Sequence, residues 1–149
     1  MFKLILYQFF LSLVFIICSH SNDLKITSES LKVDRKNKVS IFTGNVYAFN
    51  PDIEIWSEKL IIHFNENENE IKEINAEDNV KIINQGITAT GEIGTYNPNT
   101  EILNIYRNVE VLDNDNYVKC DELFLDIKNS TSIMKSNSSK RVEALIINN

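Results

Sequence analysis

Apolar and polar residues alternate along most of this chain in short segments rich in Ile and Val. A period of two is typical of β-strands with one buried face and one exposed face. After residue 22, no segment has the i, i+3, i+4, i+7 spacing of an amphipathic helix. The clearest alternating segments are Ile53-x-Ile55, Leu60-x-Ile62-x-Phe64, Val80-x-Ile82, Leu103-x-Ile105, Val109-x-Val111 and Leu123-x-Leu125-x-Ile127.

Turn-forming residues separate these segments. Asn and Asp tolerate left-handed backbone, and Pro fixes φ at the start of a turn. Regular short strands between such turns predict an all-β domain, built as a sandwich, a barrel or a jelly roll. The turn segments are Arg35-Lys36-Asn37, Asn50-Pro51-Asp52, Asn65-Glu66-Asn67, Asn84-Gln85-Gly86, Asn97-Pro98-Asn99, Asp113-Asn114-Asp115-Asn116 and Lys128-Asn129-Ser130.

A short phrase ending in Asn-Val occurs three times, as Gly44-Asn45-Val46, Asp78-Asn79-Val80 and Arg107-Asn108-Val109. Each copy is followed by an acidic and aliphatic phrase at Glu58, Glu92 or Glu122. Copies that recur at short and similar intervals along a chain indicate one structural unit stacked on copies of itself. We expect the Asn to bulge the strand at a sheet corner while the Val points inward. The general abundance of Asn is the simpler alternative.

Residues 1–21 have the composition of a secretory signal peptide. Lys3 is their one charged residue, and the apolar run after it is shorter than a spanning helix requires. Cleavage after Ser21 is predicted, which leaves one domain at 22–149. Two alternatives stay open: an uncleaved membrane anchor, and a lipoprotein processed at Cys18, which the bulky residue before that Cys disfavours.

The charge balance argues against nucleic acid as a partner. The chain has 15 Lys and Arg residues against 21 Asp and Glu residues, a formal net charge of −6. Loss of Lys3 with the leader would make the charge more negative still. Nucleic-acid binding needs a cationic surface that displaces counterions from phosphate, and this composition does not predict one.

Residue types that carry catalysis or bind metals are sparse. His63 and Cys120 are each the single residue of their type in the domain predicted at 22–149. Zinc sites and thiol nucleophiles need several such residues together. Asp113-x-Asp115 lacks the Gly and the distant Glu of a calcium loop. The sequence therefore predicts no enzyme, no metal site and no cofactor.

Several short motifs, taken in order, carry a family resemblance. They are Phe42-Thr43-Gly44-Asn45-Val46, Ile55-Trp56-Ser57-Glu58-Lys59-Leu60, Ala76-Glu77-Asp78-Asn79-Val80, Ala89-Thr90-Gly91-Glu92, Tyr96-Asn97, Asn108-Val109 and Lys140-Arg141-Val142-Glu143-Ala144. Their order and intervals resemble the OstA-like domain family, to which periplasmic lipopolysaccharide transport proteins of the LptA type belong. Asp78 and Arg107 depart from the family pattern, because each replaces a Gly.

The resemblance implies a fold, a ligand and partners. The expected fold is a single open β-jelly roll, a V of two antiparallel sheets with an apolar inner face. The expected ligand is lipopolysaccharide, whose lipid A acyl chains the inner face would shield during transport from the inner to the outer membrane. The expected partners are an LptC-like inner-membrane protein and an LptD-like outer-membrane protein. Edge strands near 24–33 and 142–147 would join such modules head to tail, also as a homo-oligomer.

Parity assigns the lipid-binding inner face. Residues that share the inward phase of their strands should line it, although each could instead be core that never contacts lipid, and a bulge would reverse part of the set. The set is Leu24, Ile26, Leu31, Val33, Phe42, Val46, Ile53, Ile55, Leu60, Ile62, Phe64, Val80, Ile82, Ala89, Leu103, Ile105, Val109, Val111, Val118, Leu123, Leu125 and Ile127.

Two other functions stay open at this point. One is a membrane-anchored, LptC-like component of the same export route, which retention of residues 1–21 would indicate. The other is a β-sandwich adhesion or carbohydrate-binding module, which needs exposed aromatic platforms. The scatter of the aromatic candidates along the strands instead predicts core or rim positions for them. The candidates are Trp56, Tyr47, Tyr96, Tyr106 and Tyr117.

Overall fold

A computed structural model describes residues 23–66, 70–137 and 139–147, and every regular element in these ranges is a β-strand. The signal peptide predicted at 1–21 lies outside the described residues. Within them, no helix is long and apolar enough to cross a membrane. The strands are β1 (Lys25–Thr27), β2 (Ser30–Asp34), β3 (Val39–Phe49), β4 (Ile53–Phe64), β5 (Ile71–Asn84), β6 (Ile87–Asn97), β7 (Ile102–Asp113), β8 (Asn116–Asp126), β9 (Thr131–Lys135) and β10 (Glu143–Leu145).

All ten strands belong to one antiparallel sheet. Its order is β1-β3-β4-β5-β6-β7-β8-β10, with β2 also pairing with β3 and β9 also pairing with β8. β1 and β2 pair with successive stretches of β3, so together they form one interrupted edge strand. β9 and β10 form the opposite edge on β8 in the same way. Between these edges the chain is a meander of long hairpins, the simplest connection for antiparallel strands.

The three Asn-Val phrases lie in one row across this sheet, which we call the corner row: Gly44-Asn45, Asp78-Asn79 and Arg107-Asn108. The strand register shifts at each pair, as expected for a bulge. Both residues of every pair have positive φ, between 44° and 82°. The bulge predicted from the sequence is therefore confirmed, and Asp78 and Arg107 adopt the same backbone handedness as Gly44.

The acidic residues of the second phrase lie opposite the corner row. Glu58 and Glu92 are the residues left unpaired across from the first and second bulges. Across from the third bulge the unpaired residue is Asp121, because Glu122 itself pairs with Tyr106. The acidic residue of the third phrase, Glu122, thus lies one position beyond the unpaired residue.

The corner row divides the sheet into two halves that pack against each other. The two sheets predicted for the V are therefore two halves of one continuous sheet, and the all-β, jelly-roll class is confirmed. Half A comprises residues 25–27, 46–57, 80–91, 109–120 and 143–145. Half B comprises residues 30–43, 59–66, 70–77, 93–106 and 122–135.

One apolar core joins the halves. Val46, Val80 and Val109, which follow the bulges, are each 1% exposed, so the inward direction predicted for them is confirmed. Burial of a side chain of this kind contributes about 1.5–3 kcal/mol. The halves approach closely at Gly94 of half B, where an added Cβ would lie 3.1 Å from Val80 Cγ1 of half A. The interior is therefore densely packed near the corner row.

Exchanging residue types between two corner positions tests the backbone argument. Replacing Arg107 by Gly should raise the free energy of unfolding by about 0.5 kcal/mol. The relief of left-handed strain, about 1–2 kcal/mol, exceeds the cost of the more flexible unfolded chain. Replacing Gly44 by Arg should instead lower it by about 2 kcal/mol, because a Cβ there also collides with the Glu29 side chain. Urea unfolding measures both changes.

Lys72→Gly is the matched control, because Lys72 lies in β5 outside the corner row. It should lower the free energy of unfolding by about 0.5–1 kcal/mol, as Gly does in an ordinary strand. If Arg107→Gly destabilised the protein as much as this control, the left-handed strain would not limit stability.

Candidate functional site

The predicted inner-face residues converge on the space between the two halves. All of them except Leu31 and Val33 are either buried in the single core or packed against it. The residues packed against the core while still partly exposed are Leu24, Ile26, Phe42, Phe64, Val118, Leu125 and Ile127. The fully buried ones are Val46, Ile53, Ile55, Leu60, Ile62, Val80, Ile82, Ala89, Leu103, Ile105, Val109, Val111 and Leu123.

Leu31 and Val33 lie on the inner face but are not covered. Leu31 pairs with Phe42, so its side chain shares the face of that residue. It is nevertheless 54% exposed, and Val33 is 57% exposed, because β2 is the outermost strand of half B. The inner face therefore continues, uncovered, to this edge of the sheet.

Sequence reasoning missed several residues that line the same space. Ala48 extends the alternation that starts at Val46, so parity alone could have found it. The segment from Ile71 to Ala76 was omitted because its alternation is interrupted, and the structure has a register shift there between His63 and Phe64. The residues missed are Ala48, Ile71, Ile74, Ala76, Ile87, Tyr96, Cys120 and Met134.

A mainly apolar opening lies at the β8 end of the space between the halves. It has a volume of about 400 Å³, and we call it the end cavity. Its apolar walls come from half A at Ile87, Val111 and Val118, and from half B at Leu125 and Met134, among others. The centre of the sheet offers no such room, because Leu103 and Ile105 fill it at 1% and 0% exposure. The end cavity can thus admit an apolar chain without displacement of the packed core residues.

A second, smaller cavity of about 240 Å³ adjoins the end cavity, and its walls are more polar. Tyr96 reaches it from half B. Burial, then the negative charges of Glu101 and Asp52, raises the pKa of the Tyr96 phenol above its ordinary value. The hydroxyl therefore keeps its proton at neutral pH, and the smaller cavity gains no charge from Tyr96.

Aromatic side chains form a stack on the outer face of half A. The ring centroid of Tyr47 lies 5.0 Å from that of Phe49 and 4.9 Å from that of Trp56. The ammonium groups of Lys25 and Lys81 lie over the two outer rings. The core or rim position predicted for the aromatic residues was therefore wrong for Tyr47 and Trp56, which are half-buried neighbours across β3 and β4 on the outer face. Because these rings stack on one another, they do not form an open platform for a sugar.

The two edges of the sheet expose strand backbone and apolar side chains. At the β8 edge, Ile133, Leu145 and Ile146 are 45%, 58% and 76% exposed. β2 at the other edge carries the exposed Leu31 and Val33. Exposed sheet edges of this kind, although each is interrupted, are pairing surfaces for a further strand.

Asp121 anchors the segment between β9 and β10 to the corner row. Its carboxylate accepts a hydrogen bond from the Asn137 N–H at 2.9 Å and one from Lys140 Nζ at 3.1 Å. These two donors, the backbone N–H first, hold the pKa of Asp121 below its usual value. Farther along, the Ile147 N–H donates to Asn116 Oδ1 at 3.1 Å. In addition to its pairing with β8, the last strand is therefore held by a few polar contacts of the residues on either side of it.

Residue types suited to catalysis stay apart in the structure. In residues 23–66, 70–137 and 139–147, no group of three His, Cys, Asp or Glu side chains could hold a metal ion. His63 lies 3.3 Å from the amide of Asn75. Cys120 is buried, and burial raises the pKa of its thiol.

Comparison with known proteins identifies the family. Residues 25–131 match the family described as "LptA/(LptD N-terminal domain) LPS transport protein", which is most of the chain. This chain belongs to that family. The OstA-like resemblance inferred from the motifs is thereby confirmed, and the family is one of transport proteins rather than enzymes. No curated protein matches the chain by sequence.

A solved structure has the same fold. The chain is similar to LptH of Pseudomonas aeruginosa, described as the LptA homologous periplasmic component of the conserved lipopolysaccharide transport device. The TM-score is 0.77 at 10% sequence identity, and the match covers 87% of this chain and 98% of that one. Such a likeness at so low an identity shows that the open sheet of this family is kept while most side chains change.

Replacing Asp121 by Asn should loosen the segment between β9 and β10. Asn cannot pair with the Lys140 charge, so trypsin should cleave after Lys140 and Arg141 faster at pH 7.5 than in the parent chain. The pKa of Asp121 is depressed in the folded state, so its stabilisation is present above the ordinary carboxyl pKa and is lost as the pH falls through the lower folded value. The difference in unfolding free energy between the two chains should therefore shrink in acid.

Asp126→Asn is the matched control for this variant. Asp126 also accepts hydrogen bonds from an Asn, at 3.0 and 2.8 Å from Asn129, but it is the last residue of β8 and lies away from Lys140 in sequence. Its replacement should leave cleavage after Lys140 unchanged. If trypsin cleaved the Asp121→Asn chain no faster than the parent chain, the pairing of β10 with β8 alone would hold this segment.

Proposed function

We propose that this chain is a periplasmic carrier that shields the lipid A acyl chains of lipopolysaccharide during transport from the inner to the outer membrane. The observation that carries the proposal is the end cavity, an apolar space between the two halves that is open at the sheet edge. Its volume of about 400 Å³ lies in the range of pockets that bind small molecules. Family membership and the description of LptH as a periplasmic transport component support it.

The apolar walls of the end cavity account for binding without catalysis. Each methylene moved from water into such a cavity contributes about 0.8 kcal/mol. A few methylenes suffice for a useful affinity, and a space open on one side limits how many are buried. The carrier can therefore release its lipid to a neighbouring module, and no residue needs to react.

Export of the chain is part of the same proposal. Residues 1–21 would act as the signal peptide, and 22–149 would form the periplasmic domain. A mature N-terminus at residue 22 supports the carrier, whereas an intact leader supports the anchored, LptC-like alternative. The adhesion alternative gains no support from Tyr47 and Trp56, since these rings stack on one another rather than forming an open platform.

Assembly through the edge strands completes the proposal. β1 and β2 are separated at Ser28–Glu29, beside the corner row, and β9 and β10 are separated at Ser136–Val142, also beside it. Because both edges break at the corner row, the edge of one copy can continue the two halves of the next. This head-to-tail pairing does not close on itself, so a second copy, an LptC-like protein or an LptD-like protein fits either end.

Photo-crosslinking in cells tests the carrier. A photoreactive residue in place of Leu125, which lines the end cavity while still partly exposed, should give an adduct that contains lipopolysaccharide. Asp126 is the control position, because adjacent strand residues face opposite sides of the sheet. Ile55 is less suitable, because at 1% exposure it lies within the packed core. Adducts of equal yield at both positions, or none in a folded and exported chain, would contradict the proposal.

A charge on the inner face of β2 tests the edge pairing. Replacing Leu31 by Lys should abolish concentration-dependent association in sedimentation velocity, because a docked strand would bury the new charge. Lys32→Ala, one position along on the outer face, is the control and should leave association unchanged. Unaltered association of the Leu31→Lys chain would place the contact elsewhere.

A further inference from the structure

Among the described residues, the rim of the end cavity is polar and contains no Lys or Arg. Its polar lining residues are Asn84, Gln85, Asp113, Asn116, Ser130 and Ser132. Five of these are uncharged side chains that can both donate and accept hydrogen bonds, and the sixth is a carboxylate. Phosphate sites are normally built from Arg, Lys or backbone N–H groups at helix ends. The rim therefore differs in kind from an anion site.

Cations elsewhere in the chain do not supply the missing charge. Lys128 lies in the turn near Ser130, but it acts on Asp126, whose pKa it helps to lower. Lys119 is paired with Glu110 at 3.0 Å and lies over Tyr117 on the outer face of half A. The segments 67–69, 138 and 148–149, which lie outside the described residues, contain no Lys or Arg. A phosphate at this rim would thus face Asp113 in a chain of net charge −6.

This rim, five of whose six polar residues are uncharged, suits a different part of a lipid headgroup. Sugar hydroxyls and amide linkages are neutral groups that donate and accept, as do the amides of Gln85 and Asn116 and the hydroxyl of Ser132. When neutral groups of this kind hydrogen-bond to each other, moving them out of water costs little free energy, provided that every donor and acceptor has a partner. A phosphate without a cation would lose much more, so it would remain in water.

We propose, building on the function proposed above, that the end cavity selects its lipid by acyl chains and by the neutral hydroxyl and amide groups of the headgroup, and not by phosphate. Phosphate-free lipid of the same acyl composition is then as good a ligand as the phosphorylated form. The carrier tolerates variation in headgroup phosphorylation that a cationic site would reject.

The test compares two lipids that differ only in phosphate. A photoreactive residue replaces Leu125 in protein purified from the cell envelope, and adduct yield is followed against concentration of lipid A with both phosphates and of its dephosphorylated form. EDTA is present, so divalent ions cannot bridge phosphate to Asp113. The half-saturating concentrations should agree within about threefold and change little between low and high salt.

A variant with an added cation sharpens the comparison. Ser132→Lys places a charge at the rim and should create a preference of about fivefold or more for the phosphorylated lipid, as expected of an exposed ion pair. Thr131→Lys, one position along β9 on the opposite face, is the matched control and should create none. This contrast does not depend on the folding of a destabilised core, because both positions are exposed.

The outcomes separate this inference from the function on which it rests. A preference of tenfold or more for the phosphorylated lipid in the parent chain, weakened by salt, would overturn the inference while leaving the carrier intact. Failure of either lipid to label the Leu125 position would overturn the carrier itself. Equal labelling of both lipids, with a phosphate preference gained only in Ser132→Lys, is the result expected.

Discussion

The fold depends on the row of left-handed bulges that allows a single sheet to turn back on itself. A non-glycine residue in this conformation costs about 1–2 kcal/mol, less for Asn and Asp. Asn occupies the second position of every pair, and two of these Asn side chains donate to a carboxylate, Asn45 to Glu29 and Asn108 to Glu92, each at 2.6 Å. The Val that follows each pair is then buried between the halves. Local strain and burial are thus coupled at the same three places.

The folded sheet leaves its interior filled at the centre and open at the edges. Central strands pair on both sides, and Gly94 lets the halves touch near the corner row. Edge strands pair on one side only, and β10 has three residues, all exposed. Regions with few buried contacts open at lower free energy than the core does. Under the proposed function, ligand and partners would therefore meet the protein where its own packing is weakest, away from the packed corner row.

Much of this architecture could be predicted from the sequence, because alternation and turn residues are local signals. Parity placed Ile55 and Leu103 correctly, and the Asn-Val phrases predicted the corner. Exposure of Leu31 and Val33 could not be predicted, since it depends on which strand is outermost. The stack of Tyr47 on Trp56 depends on the register between two strands, which a single-residue bulge would change. The end cavity depends on how far apart the halves stand, a property of packing that no local pattern encodes.

Under the proposed function, the end cavity and the acidic charge of the chain would also limit how a lipid is held. Contacts that are mainly apolar weaken little with salt, and they do not fix the orientation of a headgroup. Charge-assisted contacts would fix it, but breaking them costs more and slows release. A carrier whose site is apolar, with a rim that lacks cations among the described residues, would therefore exchange orientational specificity for easier transfer. The same reasoning explains why the charged anchor of this protein, Asp121 with Lys140, holds the chain's own last segment at the corner row and takes no part in the cavity.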